Sequence, residues 1–167
     1  QEFSVPENLS LFPKETHRNS NETLFFNGPK WNSCKEVLLD LKEPDDAIDE
    51  SQKARSKAKR NKGQGNNEIN LNGLAPTIRA EHHGNIEFRR LGKENQGKYT
   101  EELDRGLQER RLTVRECARI QTFPDEFAFV QKGVSATSAY KLIGNAVPPL
   151  FSYHLARHLE AVWYEIF

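Results

Sequence analysis

Methionine is absent from the 167 residues. Gln1 is too large to follow an initiator methionine that is normally trimmed, so the chain is expected to be an excerpt of a longer one or to have lost its true start. Cysteine is scarce. Cys34 and Cys117 are too few for a disulfide framework or a zinc finger, and an intracellular, reduced protein is the default expectation. No apolar run is long enough to span a bilayer, and Gln1-Glu2-Phe3-Ser4 does not open a signal peptide. An excess of either charge is missing too: the formal net charge is +0. No global field announces a nucleic-acid partner, and any such signal must be local. Hydrophobic residues make up only 36% and charged residues 29%, so part of the chain must be loop or arm rather than packed core.

The chain also lacks self-contained catalytic machinery. A nucleophile with its base, paired carboxylates, metal ligands or a phosphate loop would each leave a spacing signature, and none is convincing. Gly63-Gln64-Gly65 has neither the preceding strand nor the following helix that a nucleotide loop needs. His82 and His83 are adjacent, point to opposite faces of a strand and make poor joint ligands, so no metal is expected. Cys117 sits on the apolar side of a helix and reads as an inert structural thiol, and Cys34 reads the same way. Taken alone, the chain is a binding and scaffolding piece.

What is present is punctuated and local. Residues Gln1 to Pro29 have no sustained period and read as loop-rich. The spacing predicts a helix over Trp31–Leu41, capped by Ser33 and Glu36, with Trp31, Cys34, Val37, Leu38 and Leu41 on one face and Pro44 as the stop. An acidic patch (Glu43, Asp45, Asp46, Asp49, Glu50) precedes a basic one (Lys53, Arg55, Lys57, Lys59, Arg60, Lys62), followed by Gly63–Asn67, which reads as flexible. Two readings of this basic arm stay open, a solvated linker and an arm along phosphates. Ile69 and Leu71, Thr77–Ala80 and Ile86–Arg90 read as strands, with Gly73 and Gly84-Asn85 as turns. Leu91–Glu109 reads as a polar loop.

The last third is the most strongly patterned. Thr113 and Glu116 have capping-box spacing at the start of a helix whose Val114, Cys117, Ala118 and Gln121 form one side and Arg115 and Arg119 another. A short helix follows over Ser135–Leu142, with Gly144 at its stop. Pro149 opens a final helix in which Phe151, Leu155, Leu159, Val162 and Ile166 recur at helical steps and read as ordinary core.

These stretches resemble the DNA cytosine-5 methyltransferases. Arg111-Leu112-Thr113-Val114-Arg115-Glu116-Cys117-Ala118-Arg119-Ile120-Gln121-Thr122-Phe123-Pro124-Asp125-Glu126-Phe127 looks like the ninth motif of that family. Tyr140-Lys141-Leu142-Ile143-Gly144-Asn145-Ala146-Val147-Pro148-Pro149 looks like the tenth. Leu74–Asn85 is similar to the threonine-containing segment of the family's target-recognition domain, and Phe12–His17 to the stretch after its eighth motif. The match spans nearly the whole chain. It also marks what is missing, since no Pro-Cys, Glu-Asn-Val or Phe-x-Gly-x-Gly occurs, and neither cysteine matches the family nucleophile.

The resemblance implies a mixed α/β fold. A small, irregular, β-containing target-recognition lobe would span residues 1–108, with its basic arm at 53–65. The helical segment 109–167 would complete a doubly wound methyltransferase domain. It implies methylation of carbon 5 of cytosine, with S-adenosylmethionine as cofactor and double-stranded DNA carrying a flipped cytosine as partner. The remaining catalytic portion, or a separate subunit, would supply the nucleophile. Asn145, Ala146 and Val147 would wall the cofactor pocket. Thr77, with Gly84 nearby, would touch the DNA backbone beside the extruded base. Arg79, Lys57, Lys59 and Arg60 are further DNA-binding candidates, and Arg89 and Arg90 candidates for phosphate or guanine contacts. Arg111, Arg115 and Glu116 would brace the recognition lobe. The setting implied is the cytoplasm of a bacterium with a restriction-modification system. A non-enzymatic DNA-binding module of the same descent and a structural domain with no DNA role remain the alternative readings.

Overall fold

The computed structural model describes residues 10, 12–17, 28–61, 65–80, 86–131 and 133–166. They fall into two compact units, one formed by residues 1–31 and 147–167 and the other by residues 32–146. The architecture is a mixture of helices with one small two-stranded sheet.

In the larger unit, α1 spans Cys34–Leu38 and α4 spans Val114–Ile120, and both begin with the capping box their sequences predict. Ser33 and Thr113 each accept from the backbone of the glutamate three residues on, and that glutamate returns the bond, satisfying amides a helix start leaves open. Helix α4 is the hub. It packs against α1, against α2 (Glu50–Lys53) and against α5 (Ala136–Asn145). Val114, Cys117 and Ala118 are fully buried and join Cys34, Leu38, Leu112, Ala139 and Ile143 in one core.

The sheet differs from the sequence expectation. Only Phe88–Arg90 of the expected strands is regular (β1), and it pairs antiparallel with Arg110–Arg111 (β2), residues that the pattern placed before a helix. Thr77–Ala80 is not a strand, and no ladder among the described residues includes it. The expected loop at 91–109 contains a 3-10 turn, Lys93–Asn95, and helix α3, Thr100–Asp104. Tyr99 anchors that region. Its hydroxyl donates to the Ile69 carbonyl at 2.7 Å and accepts from the Leu71 amide. The boundary expected after Gln108 falls inside this unit.

Helix α4 leaves through Thr122, a non-glycine residue with φ 63°. The Thr122 amide reaches Arg119 and the Phe123 amide reaches Ala118, so the last carbonyls are covered despite the strained residue. Phe123, Phe127 and Phe129 then stack within 4.7–5.3 Å of one another.

In the smaller unit, α6 (Pro149–Ile166) opens on Pro149 as its sequence predicts, and His158 meets the Ser10 carbonyl at 2.6 Å. Along its apolar face Leu155 and Leu159 are half-buried. Val162 is buried, but Phe151 is 48% exposed, and Leu150, Tyr153 and Tyr164 are exposed beside it. No helix among the described residues is long and apolar enough to cross a membrane.

Candidate functional site: a braced junction between two chain segments

Arginines dominate the interior of the larger unit, and each is held differently. Arg111 is 1% exposed and forms no ion pair with a carboxylate among the described residues. Its guanidinium instead donates to the carbonyls of Ala58 (2.8 Å), Lys59 (3.2 Å), Gly65 (2.6 Å) and Ile86, and to the side-chain oxygen of Asn66 (2.9 Å). It lies 4.1 Å from the centre of the Phe88 ring. Burial pushes the guanidinium's pKa down from its ordinary value, although the group stays charged.

This arrangement revises the reading of the basic arm. Residues 54–61 form a strap with a secured backbone. The Val114 amide donates to Ala54, the Ser56 amide donates to the Tyr140 hydroxyl, and Tyr140 donates to the Leu112 carbonyl at 2.6 Å. Gly65 and Asn66, expected to be flexible, are buried under Arg111. Lys57 and Lys59 stay exposed on the strap. Arg60 is exposed too, but its guanidinium leans on the carbonyls of Asn66 and Asn95.

A second group is ionic. Arg89, Arg90 and Arg110 face Glu43, Glu102 and Glu116. Arg90 bonds Glu43 (2.6 Å), Glu102 (2.8 Å) and the Gln108 carbonyl. Arg110 bonds Glu43 (2.9 Å) and Glu116 (2.8 Å). Arg89 pairs with Glu102 at 2.8 Å, and its Nη1 is the one buried side-chain nitrogen or oxygen among the described residues without a hydrogen bond. Arg90 is 1% exposed, so neither it nor Arg89 is presented to a phosphate or a base, contrary to the sequence expectation. Burial alone works to raise the Glu43 carboxyl, but hydrogen bonds from Arg110 and then Arg90 outweigh it and hold the group at about 2.

Arg115 and Glu116 are also internal. Arg115 bonds Asp49, the cap of α2, at 2.9 Å and reaches the carbonyl of Phe127. Glu116 combines its capping role with the Arg110 pair. Arg119 clamps Asp40 and Asp125, tying α1 to the exit of α4. Thus Arg111, Arg115 and Glu116 each fasten residues before position 109 to residues after it. Sequence reasoning did not find Tyr140, Asn66 and Glu43, whose roles depend on partners far along the chain.

Of the expected DNA and cofactor residues, Arg79 has its backbone against Gly144, the neighbour of Asn145 in the last turn of α5. Thr77 is exposed and Arg79 half-buried. Asn145 is exposed as the last residue of the helix, and Ala146 turns the chain into an extended conformation (φ −78°, ψ 146°). Gly144, expected as a helix stop, lies inside α5 without a left-handed φ. Its hydrogen is needed for a different reason. A Cβ there would lie 2.5 Å from the Arg79 carbonyl carbon and from the Ala80 nitrogen, and 2.8 Å from the Arg79 oxygen. The last turn of α5 therefore rests directly on the backbone two residues past Thr77. Val147 belongs to the smaller unit and is 60% exposed. Gly84, with His82 and His83, lies outside the described residues.

Both thiols are buried. Burial pushes Cys117 well above its ordinary pKa and raises Cys34 too, the opposite of what a nucleophilic thiolate requires. Among the described residues, no group of three or more His, Cys, Asp or Glu is arranged to hold a metal.

The family model of the C-5 cytosine-specific DNA methylase matches residues 5–161. The chain belongs to that family. It is 57% identical over 51 residues to the type II methyltransferase M.NgoPII of Neisseria gonorrhoeae, a stretch covering 30% of this chain and 14% of that protein. It is 51% identical over 51 residues to the type II methyltransferase M.MthTI of Methanothermobacter thermautotrophicus, covering 30% and 15%. DNA (cytosine-5)-methyltransferase 2 of Arabidopsis thaliana is 48% identical over 59 residues, covering 34% and 4%. The matched stretch is a small share of each of these relatives.

Proposed function

We propose that this chain supplies target recognition and one wall of the S-adenosylmethionine pocket in a DNA cytosine-5 methyltransferase, and that the nucleophile comes from a portion outside this sequence. One observation carries the reading. The turn beginning at Asn145 adjoins the Thr77–Ala80 segment through Gly144, so a cofactor-facing turn and a DNA-facing segment are neighbours. Transfer of a methyl group to a flipped base requires such neighbours.

In this reading residues 1–108 form the recognition lobe, and residues 109–167 complete a doubly wound catalytic domain. Asn145 fits a polar cofactor, since its exposed amide offers both a donor and an acceptor. Ala146 and Val147 keep side-chain bulk low around it. S-adenosylmethionine, when bound, supplies the methyl group. Thr77 holds a backbone phosphate with a short hydroxyl and leaves room for the extruded cytosine, with Arg79 and Gly84 alongside. Lys57, Lys59 and Arg60 add sequence-independent attraction from the strap. Arg111, Arg115 and Glu116 act as braces, and no metal takes part. The type II names of two relatives support a restriction-modification setting.

Two substitutions test the assignment, read in the assembled methyltransferase on unmethylated genomic DNA amplified in vitro. With each ligand measured in the absence of the other, Thr77→Ala is expected to weaken DNA binding about tenfold, the scale of one lost charge-assisted hydrogen bond, and to leave cofactor affinity intact. Asn145→Ala should do the reverse and raise the cofactor KM with DNA affinity unchanged. Equal effects of both substitutions on both ligands would remove the separate roles.

A further inference from the structure

We propose that Gly144 is a positioning residue that couples the two ligand sites, so that cofactor occupancy at the end of α5 sets the placement of the DNA-facing backbone at Arg79–Ala80. The inference rests on the proposed function, because it needs Asn145–Ala146 to face the cofactor and Thr77 to face DNA.

Glycine is a poor choice inside a helix, where alanine is favoured. Gly144 has an ordinary helical conformation, so no left-handed φ explains it. The explanation is the surface it meets. The atoms within 2.5–2.8 Å of its missing Cβ are the Arg79 carbonyl and the Ala80 nitrogen. These are backbone atoms and cannot swing aside as a side-chain tip does. Any shift of this turn is therefore delivered to the 79–80 peptide.

The other side of the turn is anchored. Ile143 is fully buried in the core, its carbonyl accepts from the Gln121 side chain of α4 at 3.3 Å, and the same carbonyl accepts from the Ala146 amide at 3.2 Å. With the core side fixed, a shift of this turn bears on the Thr77–Ala80 segment, which belongs to no strand among the described residues. Close-packed backbone contact of this kind transmits displacement instead of absorbing it. Coupling between two ligands is reciprocal, so DNA at Thr77 must also tighten the cofactor site.

The experiment uses the assembled methyltransferase, with S-adenosylhomocysteine as the probe for the cofactor side and amplified, unmethylated genomic DNA for the other. In the wild type, S-adenosylhomocysteine is expected to slow amide exchange at Ile78–Ala80 and to tighten DNA binding by at least about fivefold, the lower end of ordinary coupling. Gly144→Ala is expected to bind the probe and lose both responses. A role confined to stability would instead lower the unfolding temperature and leave the coupling factor in place, which would overturn the inference. Probe binding with no change at Ile78–Ala80 or in DNA affinity overturns it in the wild type, without recourse to any variant. No binding of S-adenosylhomocysteine at all overturns the cofactor reading itself and the coupling with it.

Discussion

Replacing Arg111 with methionine is expected to remove about 3–5 kcal/mol of stability and to release the strap at residues 54–61. The size follows from what is left behind. Methionine fills the volume over Phe88, but the buried carbonyls of Gly65 and Ile86 and the Asn66 oxygen, with the part-buried carbonyls of Ala58 and Lys59, lose their donor together. Each unmet buried acceptor costs about 1–3 kcal/mol, and the effects are not additive because the strap relaxes into water. Against a total stability of about 5–15 kcal/mol for a domain, the loss is large. Arg111→Lys should recover only part of it, since an ammonium presents three donors from a point and not a planar fork. Chemical denaturation gives the size, and amide exchange at Ser56–Asn61 gives the place. A variant with wild-type stability and protected strap amides would mean that Arg111 holds nothing.

Glu116→Ala should be comparably severe, at about 3–5 kcal/mol. It strips Arg110 of one of its two carboxylates while the guanidinium stays buried, and it removes the return bond of the α4 capping box. Burial works to lower the pKa of Arg110, and Glu116 and Glu43 together more than offset it, so the cluster resists neutralisation. Replacing both Arg110 and Glu116 with apolar residues of similar size should be milder than Glu116→Ala alone, because no unpaired charge is left. The same network predicts a pH profile. The Glu43 carboxyl sits at about 2, below its ordinary 4.5. A depressed carboxylate stabilises the fold fully above its unfolded value, so this contribution is intact above about pH 4.5 and declines as the pH falls towards 2. Glu43→Gln should flatten that acid limb in a denaturation series. An unchanged limb would place the acid sensitivity elsewhere.

How much of this was legible in the sequence depended on distance along the chain. The capping boxes at Ser33–Glu36 and Thr113–Glu116 involve partners three residues apart, and both form as read. The burial of Arg90 and Arg110 was not legible, because Glu43 lies 47 and 67 positions away from them. Without that partner an arginine in an alternating stretch reads as solvated or as DNA-facing. Thr77–Ala80 has β-like composition but no strand beside it, and it is held by the end of a helix some 65 positions later. Gly144 was read as a helix stop because its neighbours look like one. Its actual constraint is the Arg79–Ala80 backbone, which no local pattern announces. The α6 face repeats at helical spacing whether or not its own unit covers it, so periodicity alone does not separate a buried face from a partly exposed one.

The central claim is that this chain contributes one part of a shared methyltransferase site, and one measurement tests it most directly. Labelled S-adenosylmethionine and unmethylated duplex DNA are incubated with this chain, with the catalytic portion that carries the cysteine nucleophile, and with both. The account predicts 5-methylcytosine in a restricted set of sequences only when both are present. Equal, sequence-restricted methylation by the catalytic portion alone, or none from the folded pair, would contradict it.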